Sequence, residues 1–211
     1  MDTTPAHWID HLVLAVGSLE QGIDDVAAIL GVTPVPGGAH PGAGTHNALV
    51  SLGAPTYLEV IAPDPDQPDV AERAFGVDAA SPSRLVAFAV GCADIDATVA
   101  LLRAAGHDDV ADPFAMTRLR PDGTELAWRL ARIGGRIGGA HPFLISWDGG
   151  ASPATDSPAA GRLLSLRAGT PDPAAAGALL AMLGIDVGVE GADAEWLDAT
   201  IETPTGPVTL R

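Results

Sequence analysis

The chain has no lysine, one cysteine and one tyrosine, and aromatic residues make up only 4% of it. With Cys92 alone, no intrachain disulfide can form, which fits a reducing compartment. Cys92 precedes an expected helix and reads by default as a small buried side chain, not a nucleophile. No run approaches the ~18 apolar residues of a membrane span. The N-terminus carries neither the basic nor the apolar stretch of a secretory leader, so the expectation is a cytoplasmic protein. Without lysine, all 11 basic residues are arginine, and 27 acids leave a net charge of −16. Such a surface repels phosphate backbones and anionic lipid, which excludes nucleic-acid and membrane partners. It favours a cationic ligand if it favours any. Its default role is solubility, and the Ala, Gly, Pro and Asp bias fits a compositional origin.

What is present is a patterned chain of 211 residues, 47% hydrophobic, long enough to bury a core without staples. Residues 9–16 form a β-prone run. Ser18 and Gln21 follow at capping-box spacing. Leu19, Ile23, Val26, Ala27 and Leu30 share a helical face, and Gly31 suits the helix stop. A glycine-rich loop over 37–44 then leads to strands over 47–52 and 56–62. Residues 63–83 read as a Pro- and Asp-rich connector with one helical turn near 71–75. The pattern restarts with a strand over 85–90, a helix capped by Asp94 and ended by Gly106, a hairpin turning at 121–123, a loop over 134–141 and a strand over 142–147. A Gly/Ala/Ser/Pro linker, expected to be mobile, precedes a third round. That round has a strand over 163–168, a helix capped by Asp172 with Pro173 at its first position, the stop Gly184, and three short strands. Internal repetition of a βαβββ unit is the firmest reading. The expected boundaries are 7–62, a connector over 63–83, 84–148, a linker over 149–161, and a shorter unit over 162–211. The class is α+β, with helices on one face of mixed curved sheets that enclose a cleft. An odd third unit needs a neighbour, which leaves a homodimer open.

Two residues stand out against their surroundings. His11 lies inside Ile9–Leu14, and Glu59 lies inside Tyr57–Ile61. Alternation puts His11, Val13 and Ala15 on one face of their strand, and Tyr57, Glu59 and Ile61 on one face of theirs. An unpaired buried carboxylate is costly, so Glu59 is expected in a functional cleft as base, ligand or cation recogniser. A bland reading of His11 has it bonded to a backbone carbonyl. His46, Asn47 and Tyr57 offer substrate contacts in the same cleft, with Arg118 and Trp128 on the opposite wall. His40 and His46 flank the glycine-rich loop, read as a turn or lid. That loop feeds a strand and not a helix N-terminus, so it is no phosphate cradle. No nucleophile elbow is visible.

The segments HPGAGTHNALVSLG, YLEVIAPDP and RLRPDGTELAWRLA, with His11 on a first strand and Glu59 on a fourth, resemble the glyoxalase-like proteins of the vicinal oxygen chelate (glyoxalase/bleomycin resistance/dioxygenase) superfamily. The resemblance implies paired βαβββ modules and, in the enzymes, a divalent metal such as Zn, Mn, Ni or Fe. Residues on the first and fourth strands hold it for a substrate's adjacent oxygens. Carried over, His11 and Glu59 are the metal ligands of the first module. The second module departs from that pattern: aligning Val90 with Val16 sets Leu85 opposite His11, and residues 143–147 carry no carboxylate. His46 or His141 would have to supply a third ligand, since catalytic zinc usually has at least three from the protein. Three functions follow. One is a metal-dependent lyase, isomerase or dioxygenase with Glu59 moving a proton. Another is a metal-free enzyme, or a protein that sequesters a cationic small molecule. The last is a non-catalytic dimeric module.

Overall fold

Strand β1 (His7–Ala15) is buried on both faces, and the rest of the fold follows from how each face is covered. A computed structural model describes residues 6–120, 122–134 and 138–211. The expected turn residue Pro121 and loop residues 135–137 lie outside that set. After β1 come α1 (Leu19–Leu30), β2 (Val35–His40), β3 (Thr45–Ser51) and β4 (Tyr57–Pro63). A single 3-10 turn, Ala74–Gly76, interrupts the connector. The second unit is β5 (Arg84–Cys92), α2 (Ile95–Ala104), β6 (Phe114–Leu119), β7 (Glu125–Ala131) and β8 (Phe143–Ser146). The third is β9 (Arg162–Thr170), α3 (Pro173–Met182), β10 (Gly188–Gly191), β11 (Trp196–Thr203) and β12 (Gly206–Leu210).

The first two units join edge to edge in a closed barrel of order β1-β4-β3-β2-β6-β7-β8-β5. Within each unit the first and last strands run parallel, β1 beside β4 and β5 beside β8. The two units meet along a long antiparallel seam, His7 opposite Cys92 through Ala15 opposite Arg84. The other seam is a single pair, Ala39 opposite Leu119. The expectation of an α+β fold with curved sheets around a cleft therefore holds, and the cleft is the barrel interior.

The third unit repeats the element order but not the strand order, which is β10-β9-β11-β12. It packs on the same chain. Leu166, Leu179, Leu180 and Ile201 share one apolar core with Leu12, Leu58 and Phe88 of the barrel's outer face, and with Val26, Leu30, Ile95 and Leu102 of the helices. Burying each such side chain contributes about 1.5–3 kcal/mol. The stretch expected to be a mobile linker is packed as well. Ser51 donates its N–H to Pro158 and accepts from the N–H of Ala160, while Pro153 and Ala154 are buried.

Local signals fared unevenly. Asp94 and Asp172 accept the backbone N–H groups of Ala97 and Ala175, as N-caps should. Ser18 occupies the N-cap of α1 without a side-chain bond, and Gln21 donates to Asp25 instead, so no capping box forms. The glycine-rich loop is shorter than expected, because Gly37 and Gly38 belong to β2. They mark a close approach, not a turn. A Cβ on Gly38 would stand 1.8 Å from the Leu119 carbonyl oxygen, and its φ of +134° disfavours any side chain. Among the described residues no helix is long and apolar enough to cross a membrane.

The thin seam generates a prediction. Gly38→Ala should lower stability by at least ~2 kcal/mol through backbone strain and the clash with β6, read as a lower urea midpoint. A midpoint equal to that of the unaltered protein would show that the β2–β6 pairing does not hold the barrel shut.

Candidate functional site

The barrel interior holds a cavity of about 530 Å³. The pairing register decides what lines it: His11 lies beside Tyr57, and Val13 beside Glu59. Leu12, Leu14, Leu58 and Val60 pack outward with the helices, so His11, Tyr57 and Glu59 face the cavity, as alternation expects. The opposite wall comes from the second unit and includes Met116, Arg118, Trp128 and Phe143.

Glu59 is the centre of the site and is 8% exposed. Its Oε1 accepts a short hydrogen bond from Asn47 Nδ2. Asn47 Oδ1 in turn accepts from Arg118 Nη1 at 2.9 Å, so an amide relays the guanidinium to the carboxylate. Two imidazoles flank the carboxylate, His11 Nε2 at 3.8 Å from Oε2 and His40 Nε2 at 3.8 Å from Oε1. Both gaps exceed a hydrogen bond. His40 is anchored by Thr45 Oγ1 at 2.9 Å, and its ring meets Trp128 edge-on. Burial pushes the His40 pKa down, opposed by the charge of Glu59. Tyr57 stacks on His11 at 4.7 Å, and burial raises its phenol well above the usual value, so it stays neutral.

Asp10 is fully buried and was not among the expected site residues. Its Oδ1 lies 2.8 Å from His11 Nδ1, and its Oδ2 accepts from the indoles of Trp147 at 3.0 Å and Trp8 at 3.3 Å. With Asp10 as its acceptor, His11 donates through Nδ1 and turns Nε2 toward Glu59. Strict alternation puts Asp10 and His11 on opposite faces. An irregularity in the β1–β5 pairing between Ile9 and His11 breaks that rule. The signal was available, since Asp10 sits in the same apolar run as His11.

His11, Asn47, Tyr57, Glu59, Arg118 and Trp128 all line the cavity. His46 does not, because it alternates with Thr45 and Asn47 along β3 and points away. His40, immediately before the turn over 41–44, takes the place expected of His46. His141 also lies off the cavity, and its buried Nδ1 has no partner among the described residues. Burial raises the Cys92 thiol to about 11, so it stays protonated.

The residues present do not fit a resident divalent metal. Among the described residues no group of three or more His, Cys, Asp or Glu is arranged to hold one. The second unit shows why: Ala87, Ala89, Phe143 and Ile145 form its inward positions on β5 and β8. Leu85, aligned with His11 from sequence, packs into the outer core instead. Both first-strand positions facing the cavity from the second unit are therefore alanine.

Two outcomes follow from this geometry. Dialysed protein titrated with Zn²⁺ or Mn²⁺ should take up no stoichiometric ion by calorimetry; one tight equivalent, lost in Glu59→Ala, would contradict the donor count. The folded pKa values of His40 and His7 lie below the ordinary 6.5. Below pH 6.5 the unfolded chain therefore binds more protons than the native one, and stability falls as pH drops through that value. Melting temperatures between about pH 7.5 and 5.5 should show this loss, reduced in His40→Asn; an identical pH profile in the variant would remove His40 as a cause.

Comparison with known proteins places the chain. A family model described as a glyoxalase-like domain matches residues 9–184. None of the curated proteins matches. A hypothetical protein from Staphylococcus aureus, known from a crystal structure, is 13% identical with a TM-score of 0.71, over 97% of this chain and 99% of that one. A methylmalonyl-CoA epimerase from Streptomyces coelicolor, bound to 2-nitronate-propionyl-CoA, is 20% identical over 69% of this chain and 98% of that one, with a TM-score of 0.48. The epimerase from Mycobacterium tuberculosis is 21% identical, covering 69% and 92%, with a TM-score of 0.43. At 13% identity the Staphylococcus aureus structure speaks to the fold alone. The family match over most of the chain, on a closed pair of βαβββ units with His11 and Glu59 facing one cavity, makes this protein a member of the glyoxalase-like domain family.

Proposed function

We propose that the protein binds a small carbonyl compound in the barrel cavity and moves a proton at the carbon beside the carbonyl. This is an isomerase or lyase type of reaction, run without a resident metal. The observation that carries the reading is a buried carboxylate, Glu59, held between two imidazole Nε2 atoms at 3.8 Å each. Glu59 acts as the base. Its Oε2 takes the proton as the substrate C–H bond breaks, and the electron pair moves onto the carbonyl oxygen to form an enolate. Returning the proton to either face of the same carbon re-forms the carbonyl and completes the cycle without net redox change. Asn47 holds Oε1 and leaves Oε2 for the substrate. Asp10 keeps the His11 proton on Nδ1, so the Nε2 lone pair beside Oε2 can store or relay the transferred proton. General acid–base action of this kind contributes roughly 10²–10⁴-fold.

The other readings have less support. Sequestration of a cation fits a surface of −16 but not a cavity lined by Arg73, Arg118 and Arg132. A vestigial module paired across a dimer loses its main motive, since the third unit is already covered by its own chain.

The test is hydrogen exchange in D₂O. The protein is incubated with matched carbonyl compounds, 2-oxobutyrate and 2-butanone among them, and loss of the α-hydrogen signal is followed by NMR. The unaltered protein should speed exchange of at least one compound with or without EDTA. Glu59→Gln should cut that rate by about 10²-fold or more while keeping its melting temperature. Full exchange activity in Glu59→Gln would end the proposal.

A further inference from the structure

The chain carries −16, yet its cavity reverses the balance: three arginines (Arg73, Arg118, Arg132) face two glutamates (Glu59, Glu72). Arg118 is the telling one. It is 4% exposed, inside a barrel wall otherwise rich in apolar side chains. Its Nη1 donates to Asn47, and its Nε is buried with no partner among the described residues. A guanidinium cannot give up its proton in a protein, so burial leaves a full charge with donors to satisfy. Leaving such a donor unmade is costly. Glu59 does not answer it directly, because Asn47 stands between them. Neither rim arginine has a carboxylate partner among the described residues. Arg73 spends its Nε on the Gly44 carbonyl at 3.0 Å and an Nη2 bond on Pro68 at 3.2 Å. The Arg132 guanidinium lies 5.5 Å from the centre of the Phe114 ring.

We propose that the cavity selects a substrate bearing one carboxylate, which seats on the free donors of Arg118. A guanidinium presents paired N–H groups that match the two oxygens of a carboxylate. One buried guanidinium balances one negative charge; a phosphate dianion would need more buried donors than the cavity supplies. Arg73 and Arg132 at the mouth draw an anion into a protein whose outer surface repels it. The proton-transfer reading then gains a geometry, since a carboxylate on Arg118 points the rest of a small oxo acid toward Asn47 and Glu59. The inference rests on that reading only for the orientation; binding stands alone.

The test uses benzoate, benzamide, benzylammonium and phenyl phosphate with the intact protein in calorimetry. None has a hydrogen that Glu59 could exchange, so turnover plays no part. Benzoate should bind at least about tenfold more tightly than benzamide, and benzylammonium should not bind. The margin should vanish in Arg118→Met and partly return in Arg118→Lys. Glu59→Gln should keep benzoate binding. Equal binding of benzoate and benzamide overturns the proposal without any variant, which covers the case where Arg118→Met fails to fold. A margin intact in a folded Arg118→Met, or phenyl phosphate outbinding benzoate, overturns it as well. A benzoate preference alongside failed α-hydrogen exchange would leave this inference standing and remove the proton-transfer function.

Discussion

A strand buried on both faces has to satisfy two environments with one alternating pattern, and β1 and β5 meet that constraint along their shared antiparallel seam. Leu12, Leu14, Phe88 and Val90 send one face into the core formed with the helices and the third unit. Val13, Ala15, Ala87 and Ala89 send the other into the barrel. Because the seam runs nearly the full length of both strands, it fixes how the two units sit and therefore which side chains meet across the cavity. The opposite closure, a single pair between β2 and β6, depends on Gly38 allowing two backbones to touch.

Inside that barrel the polar groups are few and dependent on one another. Glu59 is stabilised by Asn47, and Asn47 is oriented by Arg118. His11 is oriented by Asp10, which also ties down Trp8 and Trp147. Each buried polar group thus has a neighbour that sets its direction, as low-dielectric surroundings require. These chains leave open the Glu59 Oε2 and the His11 Nε2, 3.8 Å apart, and, among the described residues, the Nε of Arg118. Under the function proposed above, these groups would receive an anionic carbonyl compound, whereas the two inward alanines on β5 offer a metal no ligand.

Much of the fold was legible because it rests on local chemistry. The helix stops, the Asp94 and Asp172 caps, and the strand alternation around His11 and Glu59 are all short-range effects. They placed the repeats and put both residues on inward faces. The errors have a common cause as well. Gly37 and Gly38 read as a loop because glycine signals both a turn and a close approach, and only the path of β6 distinguishes them. His46 was preferred to His40 because both read as flanks of the loop, whereas β3 already begins at Thr45 and its alternation turns His46 away from the cavity. Leu85 was set against His11 by counting back from Val90, and the pairing irregularities along β1–β5 put that count out of phase.

The sequence alone determined the repeat, the α+β class and the isolation of His11 and Glu59 in apolar strands, because periodicity and burial cost are written in neighbouring residues. The tertiary structure decided the rest. It gave the third unit an intrachain partner and brought Asp10 behind His11. It set His40 and Arg118 around Glu59, though they lie 19 and 59 positions away, and put alanine at the inward positions of β5. Those outcomes depend on which strand edges meet and in what register, a matter of distant backbone pairings that no local pattern encodes.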